Sequence, residues 1–358
     1  MNKILDNPDK IKKLDKNKVA LSIESLHGQI RQVLAEARLI KIPHEYSRAK
    51  KIVVNGMGAS NLGAGIVKAV FADKISAPII IAPGYEVPVF VDADTLYIIS
   101  SYSGNTEEPL FAYRQAKKQG AKIAAITAAA GNLLKKIMIK DNIPGYIFKD
   151  EKNPSGIPRY GLGYSIFGMM IILAKAGFLK IKVKDIEKII GDLEIWDHEL
   201  RPNAPRGRNI AKQLAEKLYG RQTVAVAAEF LQGNLRALRN QFCETGKNFA
   251  GYLILPEFNH YAMEGLAHPK SNRQNLAFFF FDSNLYRPRV QKRSVFSKEV
   301  ARKNKIKVVD YKLKGKTKLE QAFEMLQLGS WVTFYLAVLN GVNPGPNPWV
   351  DWFKKKLK

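Results

Sequence analysis

Four short runs with unbroken apolar centres, each separated from the next by helical or turn-rich sequence, restrict this chain more than anything else in it. "KIVVN" (51–55), "PIIIA" (78–82), "TLYIIS" (95–100) and "KIAAIT" (122–127) read as strands, and "NLGAGIVKAVFA" and "TEEPLFAYRQAKKQG" read as helices, the second stopped by Gly120. A strand that is apolar throughout needs cover on both faces, which a parallel sheet clad in helices supplies. The pattern pauses over the polar segment 150–163, gives a helix at about 164–176, and begins again near 222. There "TVAVAA", "NLAFFFF" (275–281) and "IKVVDY" (306–311) read as strands and "QGNLRALRNQFCETG" as a helix. A long helix near 318–341 and a short one near 348–357 follow. At the other end, Val19, Ile23, Leu26, Ile30, Val33 and Ala37 form one apolar stripe and predict a helix over 17–38. The expected architecture is α/β, with two doubly wound parallel-sheet subdomains, an N-terminal helix and C-terminal helices. The boundaries fall at 1–50, 51–200 and 201–358, with "RPNAPRGR" (201–208) as a hinge or connection.

Composition closes off several function classes. The 358 residues include a single cysteine, Cys243, so an intramolecular disulfide and a cysteine-based metal cluster are excluded. A reducing cytoplasm is the expected location. The first 18 residues lack the apolar core of a signal peptide, and the run "IFGMMIILA" (166–174) is too short to span a bilayer, so no membrane association is expected. The net charge of +25 is large, but the lysines are spread along the chain apart from "KIKKLDKNK" and "KKKLK". With no RNA-binding fingerprint or metal-finger spacing, the charge reads as a solvated surface rather than a nucleic-acid site.

Two strand-to-helix junctions carry the chemistry. Open parallel sheets bind ligands at the carboxyl ends of their strands, and both "GMGAS" (56–60) and "SYSGNT" (101–106) lie there. A helix N-terminus offers unsatisfied N–H groups and a positive dipole end. Gly56, Gly58 and Gly104 allow close backbone approach, while Ser60, Ser101, Ser103 and Thr106 can donate hydroxyl hydrogen bonds. Glu107 and Glu108 suit the first helical turn, which also tolerates Pro109. The set fits a phosphate monoester. Ordinary helix capping explains one such loop equally well; two loops at equivalent sheet positions favour a ligand. Neither is followed by "GK[ST]", and "GMGASNLG" misses the dinucleotide spacing.

"SYSGNTEE" after "GMGAS" resembles the sugar isomerase (SIS) fold. "NQFCETGK" (240–247), "PEFNH" (256–260) and "NPGPNPWVDWFKKKL" (343–357) resemble, more narrowly, the bifunctional phosphoglucose/phosphomannose isomerases, from about residue 15 to the end. The resemblance implies an aldose–ketose isomerase of glycolysis and gluconeogenesis. It would interconvert glucose 6-phosphate and fructose 6-phosphate, with mannose 6-phosphate as a further substrate, through an enediolate and without cofactor or metal. Glu244 would be the base that moves a proton between C1 and C2, a task a carboxylate in an apolar site can perform. His260 would open the sugar ring, Lys354 would assist at the ring oxygen, and Arg159 would stabilise the enediolate by fixed charge. Gly58, Ala59, Ser60, Ser101, Ser103, Thr106 and Asn347 would bind substrate. In the family the histidine reaches the neighbouring subunit's site, which implies a homodimer with composite sites. The chain departs from the family in three places: Ala59 replaces a glycine of "GMGGS", Cys243 replaces a polar residue beside the base, and Asn347 stands where bifunctional members usually carry threonine and glucose-specific isomerases a glutamine nearby. A small residue there is thought to allow rotation about C2–C3, so Asn347 leaves mannose activity open. The competing reading is a non-catalytic SIS regulator that binds a phosphosugar; it could dispense with Glu244, His260 and Lys354.

Overall fold

The computed structural model describes residues 3–357. These form two compact units: one comprises residues 25–193 and 230–234, the other the described residues before 25 together with 194–229 and those from 235 onward.

The first unit holds a five-stranded sheet of β1 (Lys51–Asn55), β2 (Ile79–Ile81), β3 (Thr95–Ser100), β4 (Lys122–Ala128) and β5 (Gly145–Phe148), in the order β2-β1-β3-β4-β5. Every pairing is parallel, with Lys51–Asn55 alongside Thr95–Ile99. The order reverses between β1 and β3, where doubly wound sheets bind ligands. Val53, Tyr97, Ile99, Ile123 and Ala125 from the sheet bury themselves against Ala112, Tyr113 and Ala116 of the helix Glu107–Lys118 and Leu134 and Met138 of the helix Leu133–Lys140. Large apolar side chains buried this way contribute about 1.5–3 kcal/mol each. This core sets the two hydroxyl loops on a rigid base.

The second unit holds β6 (Gln222–Ala228), β7 (Ala250–Leu255), β8 (Leu276–Asp282) and β9 (Lys307–Lys312), again all parallel, in the order β7-β6-β8-β9. Numbered within its own sheet, this is the order of β1–β4. The helix Lys318–Leu339 runs buried along nearly its whole length. Its apolar stretch is long enough to cross a membrane, with mean hydropathy 1.3, but every residue of that window is inside the protein. Its buried Glu324 is satisfied by the Tyr311 hydroxyl at 2.8 Å and the backbone N–H groups of Lys314 and Gly315.

The α/β architecture and the two parallel sheets match the sequence expectation, and the differences have local causes. The stripe over 17–38 is two helices, Val19–Glu24 and Leu26–Glu36, because it serves two cores: Val19 and Ile23 are buried in one unit, Leu26, Ile30 and Val33 in the other. The alternation does not reveal β5, which is four residues long and begins with glycine, or β7, an edge strand buried only at its ends.

Candidate active site

The first unit assembles the hydroxyl residues. Gly58 precedes the helix Ala59–Val70 with φ +52°, and a Cβ there would meet nothing within 4 Å, so this backbone position is open to a ligand. Gly56 has no such room: a Cβ would lie 2.6 Å from the Ser100 carbonyl oxygen. The two loops are tied together, since the Tyr102 N–H donates to Ser60 Oγ at 3.0 Å and Ser100 Oγ donates to the Ser60 carbonyl at 2.6 Å.

Within the second loop, Ser101 Oγ donates to Thr106 Oγ1 at 3.2 Å and accepts from the Gly104 N–H at 3.1 Å. Ser103 Oγ lies 3.3 Å from the same threonine oxygen. Thr106 is the N-cap of Glu107–Lys118, yet its side chain makes no capping hydrogen bond. Its hydroxyl is instead the meeting point of the two serines. Ser101 is buried, Thr106 and Ser60 are half-buried and Ser103 is exposed, so the cluster grades from the loop's interior to its surface. Gly104 adopts φ +62° with its α-carbon against Asn132, whose Oδ1 would lie 2.0 Å from an added Cβ. Asn132 caps Leu133–Lys140 by accepting from the Lys135 N–H at 2.8 Å, and the Gly104 carbonyl accepts from the Leu134 N–H at 2.9 Å. The hydroxyl loop therefore rests on a neighbouring helix terminus, a support the sequence analysis does not name although "GNLL" is a recognisable cap.

Arg159 lies in the short 3-10 helix Pro158–Tyr160 of the same unit. It is buried, with its guanidinium 5.0 Å from the Tyr160 ring centre. Two clamps hold this segment. Gln29 donates to the Tyr160 carbonyl at 2.7 Å and accepts from the Gly163 N–H at 3.0 Å. The Tyr102 hydroxyl donates to Asp150 at 3.0 Å and accepts from Asn153 Nδ2 at 2.8 Å, while Asn153 also donates to the Ile157 carbonyl at 3.0 Å. Burial pushes the Tyr102 phenol pKa well up, so the group stays neutral. Gly161 packs on the Tyr102 ring with no space for a side chain. Tyr102, Gln29 and Asn153 thus seat Arg159 relative to the hydroxyl loop; none has a local sequence signal, because each works through partners distant in the chain.

The second unit carries Glu244, His260, Asn347 and Lys354. Glu244 is the last residue of the helix Gln232–Glu244, is half-buried, and accepts at Oε2 from Asn347 Nδ2 at 2.9 Å. Asn347 is the N-cap of the last helix, Pro348–Lys356. Lys354 lies seven positions on; at 3.6 residues per turn this is close to the same helix face, about 10 Å further along the axis. Lys354 is exposed. His260 ends the short helix Glu257–His260 just beyond β7 and is exposed. The turn that presents it is anchored by Phe258, fully buried against Phe278, and by Asn259, which donates to Ser297 Oγ at 2.7 Å. Glu244 and Asn347 are thus brought into direct contact, while His260, beyond β7, and Lys354, on the helix that Asn347 begins, are exposed to solvent. Among the described residues no three His, Cys, Asp or Glu side chains come together to hold a metal ion.

Comparison with known proteins identifies the family. Residues 208–357 match the bacterial phospho-glucose isomerase C-terminal SIS domain, and residues 45–137 match the SIS domain. A bifunctional phosphoglucose/phosphomannose isomerase of Caldicellulosiruptor bescii is 31% identical over 94% of this chain and 98% of its own length. One from Aquifex aeolicus is 28% identical over 86% of this chain and 91% of its own. The crystal structure of a glucose-6-phosphate isomerase like protein from Thermus thermophilus has the same fold at TM-score 0.61 and 15% identity, covering 98% of each chain. The chain belongs to the bifunctional phosphoglucose/phosphomannose isomerase family and is a phosphosugar isomerase.

Proposed function

We propose that this isomerase interconverts glucose 6-phosphate and fructose 6-phosphate through an enediolate. The phosphate is held by Ser60, Ser101, Ser103 and Thr106, with Gly58 and Ala59 supplying backbone at a helix start. His260 and Lys354 open the ring, Glu244 moves the proton between C1 and C2, and Arg159 stabilises the charge that develops on the enediolate oxygens. The observation that carries the reading is the convergence of the Ser101 and Ser103 hydroxyls on Thr106, at a helix N-terminus where the threonine does not act as a cap. Structural capping would have consumed that oxygen. The retention of Glu244, His260 and Lys354 disfavours a sensor without catalysis.

A homodimer with composite sites is part of the proposal. Exposed His260 adjoins exposed Tyr261, and the helix bearing Lys354 leaves Trp349, Trp352 and Phe353 exposed as well. Aromatic residues left in water beside functional groups support coverage by a second copy.

Purified protein supplied with fructose 6-phosphate in heavy water should form glucose 6-phosphate carrying deuterium at C2, with mannose 6-phosphate read separately. Phosphosugar binding without turnover of any hexose 6-phosphate would instead establish the regulator. Mixing inactive Glu244→Gln and His260→Ala variants should restore activity at one of the two sites of each mixed dimer; a fully active monomer in sedimentation would remove the composite site.

A further inference from the structure

The reverse turn after Glu244 places a second charged residue against the same group. The N–H groups of Thr245 and Gly246 return to the Gln241 carbonyl at 2.9 and 3.0 Å, and Asn340 closes on the Gly246 carbonyl at 2.9 Å. Lys247 follows with φ +52°. Its ammonium donates to the Glu244 carbonyl at 2.5 Å, to the Pro346 carbonyl, and to Asn347 Oδ1 at 3.2 Å. An ammonium has protons to give and no lone pair, so it can face only the oxygen end of the Asn347 amide. The amide's NH₂ end is thereby turned to Glu244, where it meets Oε2 at 2.9 Å.

We propose that Lys247 is a positioning residue for proton transfer: by holding the oxygen of Asn347 it aims the amide NH₂ at one carboxylate oxygen of Glu244 and fixes the plane in which that carboxylate meets the sugar. The proposal rests on Glu244 being the base. It also gives Asn347 a duty beyond contact with substrate. Loss of alignment at a reacting centre costs up to roughly 10²-fold in rate.

Asn347→Asp separates this role from packing. It keeps the residue's size and gives Lys247 a stronger acceptor, but it replaces the NH₂ donor by an oxygen that repels Glu244. With fructose 6-phosphate the variant should lose kcat by at least about tenfold, with the melting temperature held or raised. Asn347→Leu, which removes both contacts, and Lys247→Met should lose kcat to a similar degree. If Lys247→Met fails to fold, the two Asn347 variants decide, because both keep the lysine on its two carbonyls. Wild-type kcat in a folded Lys247→Met, wild-type kcat in both Asn347 variants, or loss in Leu alone, overturns the inference. Glu244→Gln serves as the control: if it abolishes deuterium exchange at C2 while the Asn347 variants run normally, positioning fails and the base stands. If Glu244→Gln exchanges normally, the base assignment falls, and the inference with it.

Discussion

The two sheets share a strand order and differ in what fills their central junctions. After β1 and β3 the first sheet presents glycines and small hydroxyls, and the link between its loops is the Ser60 hydroxyl accepting from the Tyr102 N–H. After β6 and β8 the second sheet makes the corresponding link with a large side chain: the Tyr286 hydroxyl accepts from the Ala228 N–H at 3.1 Å and donates to the Phe281 carbonyl at 3.1 Å, its ring buried. Ser283 is bonded to Gln321 at 2.5 Å and to the Leu285 N–H at 2.9 Å. Glu229 stands at the turn after β6 with φ +47° and accepts from the Arg287 N–H at 3.4 Å. A carboxylate thus takes the helix-start position where an anion would bind, and the side chains around it are committed to one another. One topology carries small hydroxyl-bearing loops at one sheet and large, mutually bonded side chains at the other. The side chains proposed for catalysis in the second unit lie elsewhere, at the end of a helix, beyond β7 and on the last helix.

This division predicts distinct kinetic signatures. The largest effect belongs to Glu244→Gln. General-base catalysis is typically worth ~10²–10⁴-fold, so kcat and the exchange of solvent deuterium into C2 should fall by that factor. KM should move little if the phosphate is held, as proposed, by the hydroxyl loops rather than by Glu244. A surface glutamate would instead give near-normal turnover and a stability change within about 0.5 kcal/mol.

Changes in the first unit should act on KM. Thr106→Val removes the oxygen shared by Ser101 and Ser103, and a hydrogen bond to a charged group contributes roughly 1.5–3 kcal/mol. KM for fructose 6-phosphate should rise by about ten- to a hundredfold, with a much smaller loss in kcat. Gly104→Ala should raise KM as well and also lower the melting temperature. It forces a side chain into a positive φ, which costs about 1–2 kcal/mol, and drives its Cβ into Asn132. Gly58→Ala meets open space, so only backbone strain and ligand access are affected. Stability lost equally at both glycines would contradict the packing described for Gly104.

The hydroxyl cradle was legible in the sequence because it is local: glycines and hydroxyls within six residues of a strand end constrain one another through a single turn. The helix-end pair was not. Glu244 and Asn347 lie 103 residues apart, and Lys247 reaches Pro346 across 99. Nothing in their flanking sequence states that the turn after Glu244 folds back toward the last helix. The Tyr102–Asp150–Asn153 clamp escaped for the same reason. The sealing of the second sheet depends on a positive φ at Glu229 and on the buried tyrosine 57 positions later, neither of which alternation of apolar runs can report. The roles proposed for His260 and Lys354 rest on resemblance alone, since an exposed histidine and one lysine of a basic run carry no local signal.

Glu229→Gln gives the smallest effect and the sharpest test of the contrast between sheets. Its ion pair with Arg287 is long, at 3.9 Å, and the arginine side chain is 87% exposed, so the pair contributes little. Glutamine keeps the oxygen that accepts from the Arg287 N–H. Stability should therefore change by no more than about 0.5 kcal/mol, and kcat and KM should match the wild type. The informative result is binding at a second site. The carboxylate repels any phosphate that approaches this turn, so removing its charge from a closed junction adds no binding. If the junction admits a phosphate, neutralising Glu229 relieves that repulsion. Inorganic phosphate binding at a second site in calorimetry, absent in the wild type, would show that the second sheet has its own capacity for an anion and that Glu229 suppresses it by charge rather than by filling the space.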